Sequence, residues 1–514
     1  MTGPNRRNRW NTAPDVAVGV PGSPQAAPGQ QPTAYVRSTL LVSYRADARS
    51  DAIEKLASAA RRFGWEIDPE RSAERITPPA TVRVRRRDES RSPNSPGTAE
   101  YEVRRIVLAA GGDSPTAQVD AAALKRAYDQ FGDASVEVTL EHVLAAGPFM
   151  SPFMSPFMSP FMSPFMSGQS PAATYGMPGA GGRQPVAYVG PPPRRTPDED
   201  LTARRPRVAI LDTGCGSHDW LGFVTRGVDQ SPVIGVHDPQ SDPEVYPDTL
   251  GPLDGSMDPL VGHGTFIAGL VHQEAPDADI LAVRVLQKDG VVYEFDLIEA
   301  LSGLVRWIEA DKRNTVDVLN LSLGFYHEDV ETPAFPSQLR GVLTDLRCLG
   351  VVVVASAGND ATTRPCYPAA FTLDAPYPGA APLIAVAADN PNGSAAMFSN
   401  AGDWVTTSIC GAAVVSTMPD FDAGLSPVAG TSSATGATRE TLDADDFLGG
   451  FGVWSGTSFA APILAGRIAA ALTSAGHDVG VVGDAVAKVL DGVAHSKKSL
   501  DDKAARRRKR LMQS

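Results

Sequence analysis

Cysteine is scarce, with Cys215, Cys348, Cys366 and Cys410 the only four in 514 residues. So few thiols exclude the disulfide framework of a small secreted scaffold, and their spacing matches no zinc pattern. They are expected to be small buried residues, with one or two bridges only if the protein is exported. Long apolar runs are also missing. Nowhere do about 18 apolar residues follow one another, so no membrane span is expected. The stretch Met1 to Pro21 is polar, carries Arg6, Arg7 and Arg9, and lacks an apolar core of signal-peptide length. The expected location is therefore the cytoplasm, or outside it by a route without a recognisable signal peptide. Positive charge is the third shortage: 46 Lys and Arg stand against 59 Asp and Glu, a net charge of −13. That balance argues against a nucleic-acid partner.

What remains is 42% hydrophobic, enough in a chain of this length for a sizeable core and more than one domain. Residues 1–36, rich in Pro, Gly, Gln and Arg without apolar periodicity, are expected to be a disordered tail. From Thr39 the pattern changes. Thr39 to Tyr44 reads as a strand, and Ile53, Leu56, Ala57, Ala60 and Phe63 recur at helical spacing. Thr81 to Val84 and Val103 to Leu108 read as strands, Leu124, Ala127, Tyr128 and Phe131 mark a second helix, and Val136, Val138 and Leu140 alternate as a last strand. The order βαββαβ predicts a small α+β, ferredoxin-like domain over residues 37–146. Residues 147–205 are low-complexity: Gly147-Pro148-Phe149-Met150, four copies of Ser-Pro-Phe-Met, then Gly- and Pro-rich chain. A Pro in every four residues excludes a helix and favours an extended tether.

At Arg207 short apolar runs begin to alternate with helical periodicity. Val208 to Leu211, Ile280 to Val285, Val316 to Leu321, Val351 to Ala355 and Leu383 to Ala388 have the continuous apolar character of buried parallel strands. The stretches His263 to Val271, Asp296 to Ala310 and Pro336 to Cys348 are the helices between them. This predicts an α/β domain over residues 206–485 with a mostly parallel sheet, whose ligand site lies at the strand carboxyl ends. A charged tail, 486–514, follows.

Four polar residues stand where that rule puts a site. Asp212 ends the strand Val208 to Leu211, where a carboxylate is costly unless hydrogen-bonded. His263 opens a helix between two glycines. Ser458, in Gly456-Thr457-Ser458-Phe459-Ala460-Ala461-Pro462, opens another, with Pro462 assigned to its first turn. Asn359 follows the strand Val351 to Ala355. Each alone has a plain reading as a cap or turn residue. Together they supply what acyl transfer needs: a hydroxyl nucleophile, a base to take its proton, a carboxylate to orient the base, and amide donors for the oxyanion.

Asp212-Thr213-Gly214, His263-Gly264-Thr265 and Gly456 to Pro462, in that order, resemble the three signature motifs of the subtilisin-like serine proteases over roughly residues 205–480. The resemblance implies a serine endopeptidase acting on peptide or protein substrates without a required cofactor. In it Asp212 orients, His263 is the acid/base, Ser458 the nucleophile and Asn359 the oxyanion donor. It further implies that substrate lies as an added strand along Ser322, Leu323 and Gly324. Ala357, Gly358 and Cys366 then line the pocket before the scissile bond. Cys366 stands where glycine is commoner, so the pocket is expected to be short and suited to Leu or Met. Residues 37–146 correspond to the family's propeptide, an intramolecular inhibitor of the active site, and cleavage is expected after Met within or next to residues 147–167.

The chain departs from the family pattern in places. Between Asp212 and His263 lie Asp229, Asp238, Asp242, Glu244, Asp248, Asp254 and Asp258, expected to form a solvated acidic lid. They are of the right type for calcium but lack the ordered spacing of a calcium loop. A second insertion spans Pro419 to Gly450, and the basic run Arg506 to Arg510 is expected to be a solvated terminus. Two other readings stay open: a dedicated maturation protease for one peptide precursor, and a non-catalytic peptide-binding scaffold.

Overall fold

The computed structural model describes residues 16–19, 33–45, 49–73, 75–76, 101–112, 118–130, 136–146, 183–187, 190–227, 234–249, 257–328, 337–421, 430–432, 435–436, 438–440, 447–475 and 479–511. The chain divides into two compact units. One takes residues 1–144 together with 293–311 and 325–345; the other takes 145–292, 312–324 and 346–514. The first unit is therefore not the N-terminal segment alone, since two stretches from inside the expected α/β domain belong to it.

In the first unit an antiparallel sheet runs in the order Val136–Ala145, Thr33–Arg45, Tyr101–Ala110, Trp65–Ile67. One apolar face is built by alternation: Leu40, Val42 and Tyr44 on the central strand and Ile106 and Leu108 beside it point to one side, as the period of two in a strand requires. The helices Arg49–Arg61 and Ala121–Gln130 close that side with Leu56, Ala60, Leu124 and Tyr128. The strand expected at Thr81 to Val84 lies outside the described residues. The expected unstructured tail needs correction at one place: Val16–Gly19 pairs antiparallel with Thr33–Val36, Val16 opposite Val36. The opposite side of the sheet is mixed, with Leu41, Val103 and Val107 beside Arg105 and Glu141, and meets the segments 293–311 and 325–345. Arg105 donates from Nε to Glu141 at 2.9 Å, pairs with Asp296 at 3.1 Å and stacks over Phe295. Gln338 donates to Glu137 at 3.0 Å, and Thr33 Oγ1 donates to the carbonyl of Tyr326.

The second unit is organised on a seven-stranded parallel sheet in the order Thr407–Cys410, Leu383–Asp389, Val352–Ser356, Val318–Leu321, Arg207–Asp212, Asp279–Arg284, Thr225–Arg226. The five strands expected from apolar runs are all in it. The two edge strands, Thr407–Cys410 and Thr225–Arg226, are short and half polar and give no such run. Helices His263–Glu274 and Thr457–Ala475 pack Phe266, Ile267, Val271, Leu464, Ile468 and Leu472 into one core with Val208, Ile210, Val354 and Val386.

Two expectations about linkers are overturned. The tether was expected to run to residue 205, but Arg183 donates to the carbonyls of Val261, Met257 and Asp258, and Gln184–Pro185 pairs with Gly452 and Val453. Further on, Arg195 donates to the carbonyls of Pro276 and Ala278 and pairs with Asp279. Arginine seeks backbone carbonyls here, a contact with no sequence period. The charged tail is also not separate: Val479–Leu511 is one helix, anchored by Val482, Ala485, Val486 and Val493 and by Lys497, which meets Asp389 at 3.2 Å.

Ile468 is wholly buried between that second-unit sheet and its helices. Ile468→Ala, made together with Ser458→Ala to keep the chain whole, is expected to lose about 2–5 kcal/mol of stability in chemical denaturation.

Candidate active site

Asp212 sits at the carboxyl end of the strand Arg207–Asp212, fully buried. Its Oδ1 accepts from the Thr213 amide at 2.8 Å, from Thr213 Oγ1 at 3.1 Å, and faces His263 Nδ1 at 2.7 Å. A carboxylate only accepts, so this contact places a proton on Nδ1 and leaves Nε2 as the working nitrogen. Asp212 Oδ2 has no hydrogen-bond partner among the described residues. The histidine reaches this position because its helix begins flush against the strand end. A Cβ on Gly264 would lie 2.1 Å from the carbonyl oxygen of Gly214, so only glycine permits the approach.

Glu244 belongs to this cluster and was not singled out by its sequence. Expected in a solvated lid, it is 1% exposed. Its Oε1 meets Thr213 Oγ1 and accepts from the Gly264 amide at 3.0 Å, and its Oε2 meets Thr265 Oγ1 and accepts from the Thr265 amide at 3.3 Å. One carboxyl thus ties the Asp motif to the His motif. Burial pushes its pKa up against the opposing pull of the two threonine hydroxyls. The proton count agrees. Thr213 Oγ1 lies against both Asp212 Oδ1 and Glu244 Oε1 with one proton to give, and a protonated Glu244 removes that shortage. Asp258 is buried too, accepting from Thr249 N at 2.8 Å, while Asp238 caps a short turn at Gln240. These acids bind their own loop and the motifs rather than forming a solvated surface. Asp229 and Asp254 lie outside the described residues.

Ser458 is the second residue of the helix Thr457–Ala475, which puts Pro462 beyond the first turn expected for it. A residue at 462 would normally give its N–H to the carbonyl of Ser458. Proline has none, and Ser322 Oγ donates to that carbonyl instead at 2.8 Å, itself receiving a bond from Asn320 Nδ2 at 3.0 Å. Asn359 is held by its oxygen: Oδ1 accepts from the Thr457 amide at 2.8 Å and from Thr457 Oγ1 at 2.9 Å, so Nδ2 is left as the donor. The Ser458 hydroxyl donates to the carbonyl of Ala146 at 3.1 Å. Ala145 exchanges both backbone hydrogen bonds with Gly324, each 3.0 Å, and the Ala146 amide donates to Gly290 O at 3.2 Å. A segment of the chain itself therefore lies as an antiparallel strand with a carbonyl on the serine.

The remaining residues singled out in the sequence converge on this place. Ala357 is buried, with its carbonyl accepting from Asn400 Nδ2 at 2.8 Å, and Gly358 has a φ of 100° that a side chain would not tolerate. Cys366 is buried between them: its Sγ lies 2.6 Å from where a Cβ on Gly324 would stand and 3.4 Å from one on Gly358. All four cysteines are free thiols.

Comparison with known proteins agrees on one family. The subtilase family profile matches residues 204–489, a little over half of the chain. Subtilisin BL of Lederbergia lenta is 30% identical over 244 residues, 46% of this chain and 74% of that protein. Subtilisin E of Bacillus subtilis is 28% identical over 270 residues, 50% of this chain and 56% of that protein. The chain thus spans between about half and three quarters of the length of these relatives. Among solved structures, a cold adapted subtilisin-like serine proteinase is 21% identical and covers 55% of this chain and 82% of its own, with a TM-score of 0.36.

Glu244→Ala is expected to destabilise the fold by about 1–3 kcal/mol, the cost of orphaning buried donors, whereas Glu244→Gln, an isostere of the protonated acid, loses much less. A carboxyl whose folded pKa is raised favours the fold below the ordinary carboxylate range and loses that contribution as pH climbs through the raised value. Thermal unfolding across pH checks this: Gln at 244 removes the decline.

Proposed function

The chain belongs to the subtilase family of serine proteases, and from that premise we propose that it hydrolyses peptide bonds through Asp212, His263 and Ser458. The observation that carries the reading is the backbone carbonyl of Ala146 on the Ser458 hydroxyl, with Ala145 bridged to Gly324. Those contacts support reading the segment as a peptide in a substrate's position. Ser458 Oγ attacks the carbonyl carbon while its proton passes to His263 Nε2, and Asp212 on Nδ1 holds the ring and stabilises the imidazolium. The negative charge that develops on the carbonyl oxygen is met by Asn359 Nδ2 and by the Ser458 amide at the helix start. His263 then protonates the leaving amine, the acyl-enzyme forms, and water, deprotonated by the same imidazole, releases it.

The same contact supports a zymogen. The bond that follows the Ala146 carbonyl is Ala146–Gly147, at the end of the N-terminal segment, and its position supports reading that segment as the enzyme's own first substrate and, until released, its inhibitor. The cleavage after Met expected from the sequence falls among residues 147–167, outside those described. Backbone pairing at Gly324 makes modest demands on side chains, so the short pocket at Cys366 is left to set preference, favouring small and medium apolar residues.

Purified protein is expected to show a new N-terminus at Gly147 by mass spectrometry, absent from Ser458→Ala. A first cut elsewhere overturns the processing site. Labelling by a fluorophosphonate tests the catalytic assignment: the adduct is expected on Ser458 of the processed enzyme, and a serine that never labels sinks it. Asn359→Ala is expected to keep KM and lower kcat by about 10²–10³, the loss seen when such a donor is removed from a subtilisin.

A further inference from the structure

The protein has eight histidines, and two of them, His142 and His327, are buried beside Glu328 in the first unit, well apart in sequence from the residues of the triad. His142 is 2% exposed, His327 6% and Glu328 4%. One ligand atom from each lies within 4.8 Å of the others. His142 Nε2 is 2.9 Å from Glu328 Oε2, and His327 Nε2 is 3.7 Å from the same oxygen. Four ligands at about 2.0–2.1 Å around a tetrahedral ion stand roughly 3.3 Å from one another. The observed separations bracket that value, and only a small approach of the two rings is needed.

The surroundings point the same way. Glu294 Oε2 lies 2.7 Å from His142 Nδ1. A carboxylate there fixes the proton on Nδ1 and turns the Nε2 lone pair toward Glu328, the carboxylate–histidine arrangement that orients metal ligands. Two lone pairs facing at 2.9 Å need a positive centre between them. Charge accounting favours a dication over a proton. Glu294 and Glu328 are both 4% exposed, and neither forms an ion pair with Lys or Arg among the described residues. Arg105, the cation of this sheet face, is already held by Glu141 and Asp296. Both His142 and His327 would have to be protonated to balance the two buried carboxylates, while one doubly charged ion balances them with both rings neutral. Phe325 stacks on His142 at 4.5 Å and keeps the place dry.

We propose that His142 Nε2, His327 Nε2 and the Glu328 carboxylate bind a zinc ion, with Glu294 as the positioning residue behind His142. Two imidazoles and one carboxylate suit zinc, with a water as fourth ligand, and do not suit calcium or magnesium, which take oxygen shells. The site staples the strand Val136–Ala145 to the segment Phe325–Glu328. Resting on the processing site read above, this adds a regulatory role: zinc retains the N-terminal segment after its bond to Gly147 is cut, and zinc removal hastens its release.

The test uses full-length Ser458→Ala, stripped with chelator and titrated with zinc by calorimetry. One ion per chain is expected, with a rise in unfolding temperature that calcium does not reproduce. His327→Gln and His142→Gln are expected to abolish the tight site, and Glu294→Gln to weaken it about 10–100-fold. Absence of zinc uptake, or undiminished affinity in both histidine variants, overturns the site. Because those variants can lose stability, cobalt on the histidine-intact chain gives a second readout. A tetrahedral spectrum of nitrogen and oxygen ligands supports the proposal, and a thiolate charge-transfer band, which places the metal on cysteine, refutes it. None of these outcomes depends on peptidase activity, so failure here leaves the protease reading standing.

Discussion

Pro462 has no N–H to offer the carbonyl of Ser458, and the hydroxyl of Ser322 bonds that carbonyl instead at 2.8 Å. The helix carrying the serine is therefore fastened, one residue into its first turn, to the strand end along which a peptide lies. Asn320 supports Ser322 from inside the sheet, and Thr457, the neighbour of the serine, holds Asn359 by its oxygen. Ser458, Asn359 and the strand end at Ser322 are thus connected by hydrogen bonds of ordinary length within a buried network, which fixes their mutual geometry.

His263 is positioned by a separate device. His263 depends on the close approach of Gly264 to Gly214, and that approach is bridged by Glu244 through both threonines of the two motifs. The long loop after Asp212 therefore reaches back to the residues it follows. An acid supplied by the insertion holds the two shortest motifs of the chain in register, and the guanidinium of Arg284 keeps that insertion in place by donating to the carbonyls of Asp238 and Ser241.

Much of this was legible in the sequence because it is local. Buried parallel strands show as apolar runs, and the five strongest were readable to within two residues at either end. Asp212, His263, Ser458 and Asn359 stood out because strand ends and helix starts are marked by glycine, proline and changes of period. What escaped depends on distant partners. Val16–Gly19 is a strand only because Thr33–Val36 lies opposite. Arg183 and Arg195 look like linker charges until the carbonyls they bind are brought near. Glu244 is one acid among seven in its loop, and nothing in its neighbours distinguishes the one that turns inward. Pro462 was placed a turn too early because the helix starts at Thr457, and only the structure shows which carbonyl it leaves open.

The four cysteines carry a further consequence. None is joined to another, and burial holds the thiols of Cys215, Cys366 and Cys410 above the ordinary range, that of Cys215 at about 12. Thiolate is therefore rare at neutral pH, and thiolate is the form that oxidants and alkylating reagents attack. No cross-link holds this fold together, so a reductant has none to break. These three thiols are therefore poor targets for oxidation, and Cys366 fills space against Gly324 and Gly358 as a small side chain of fixed volume.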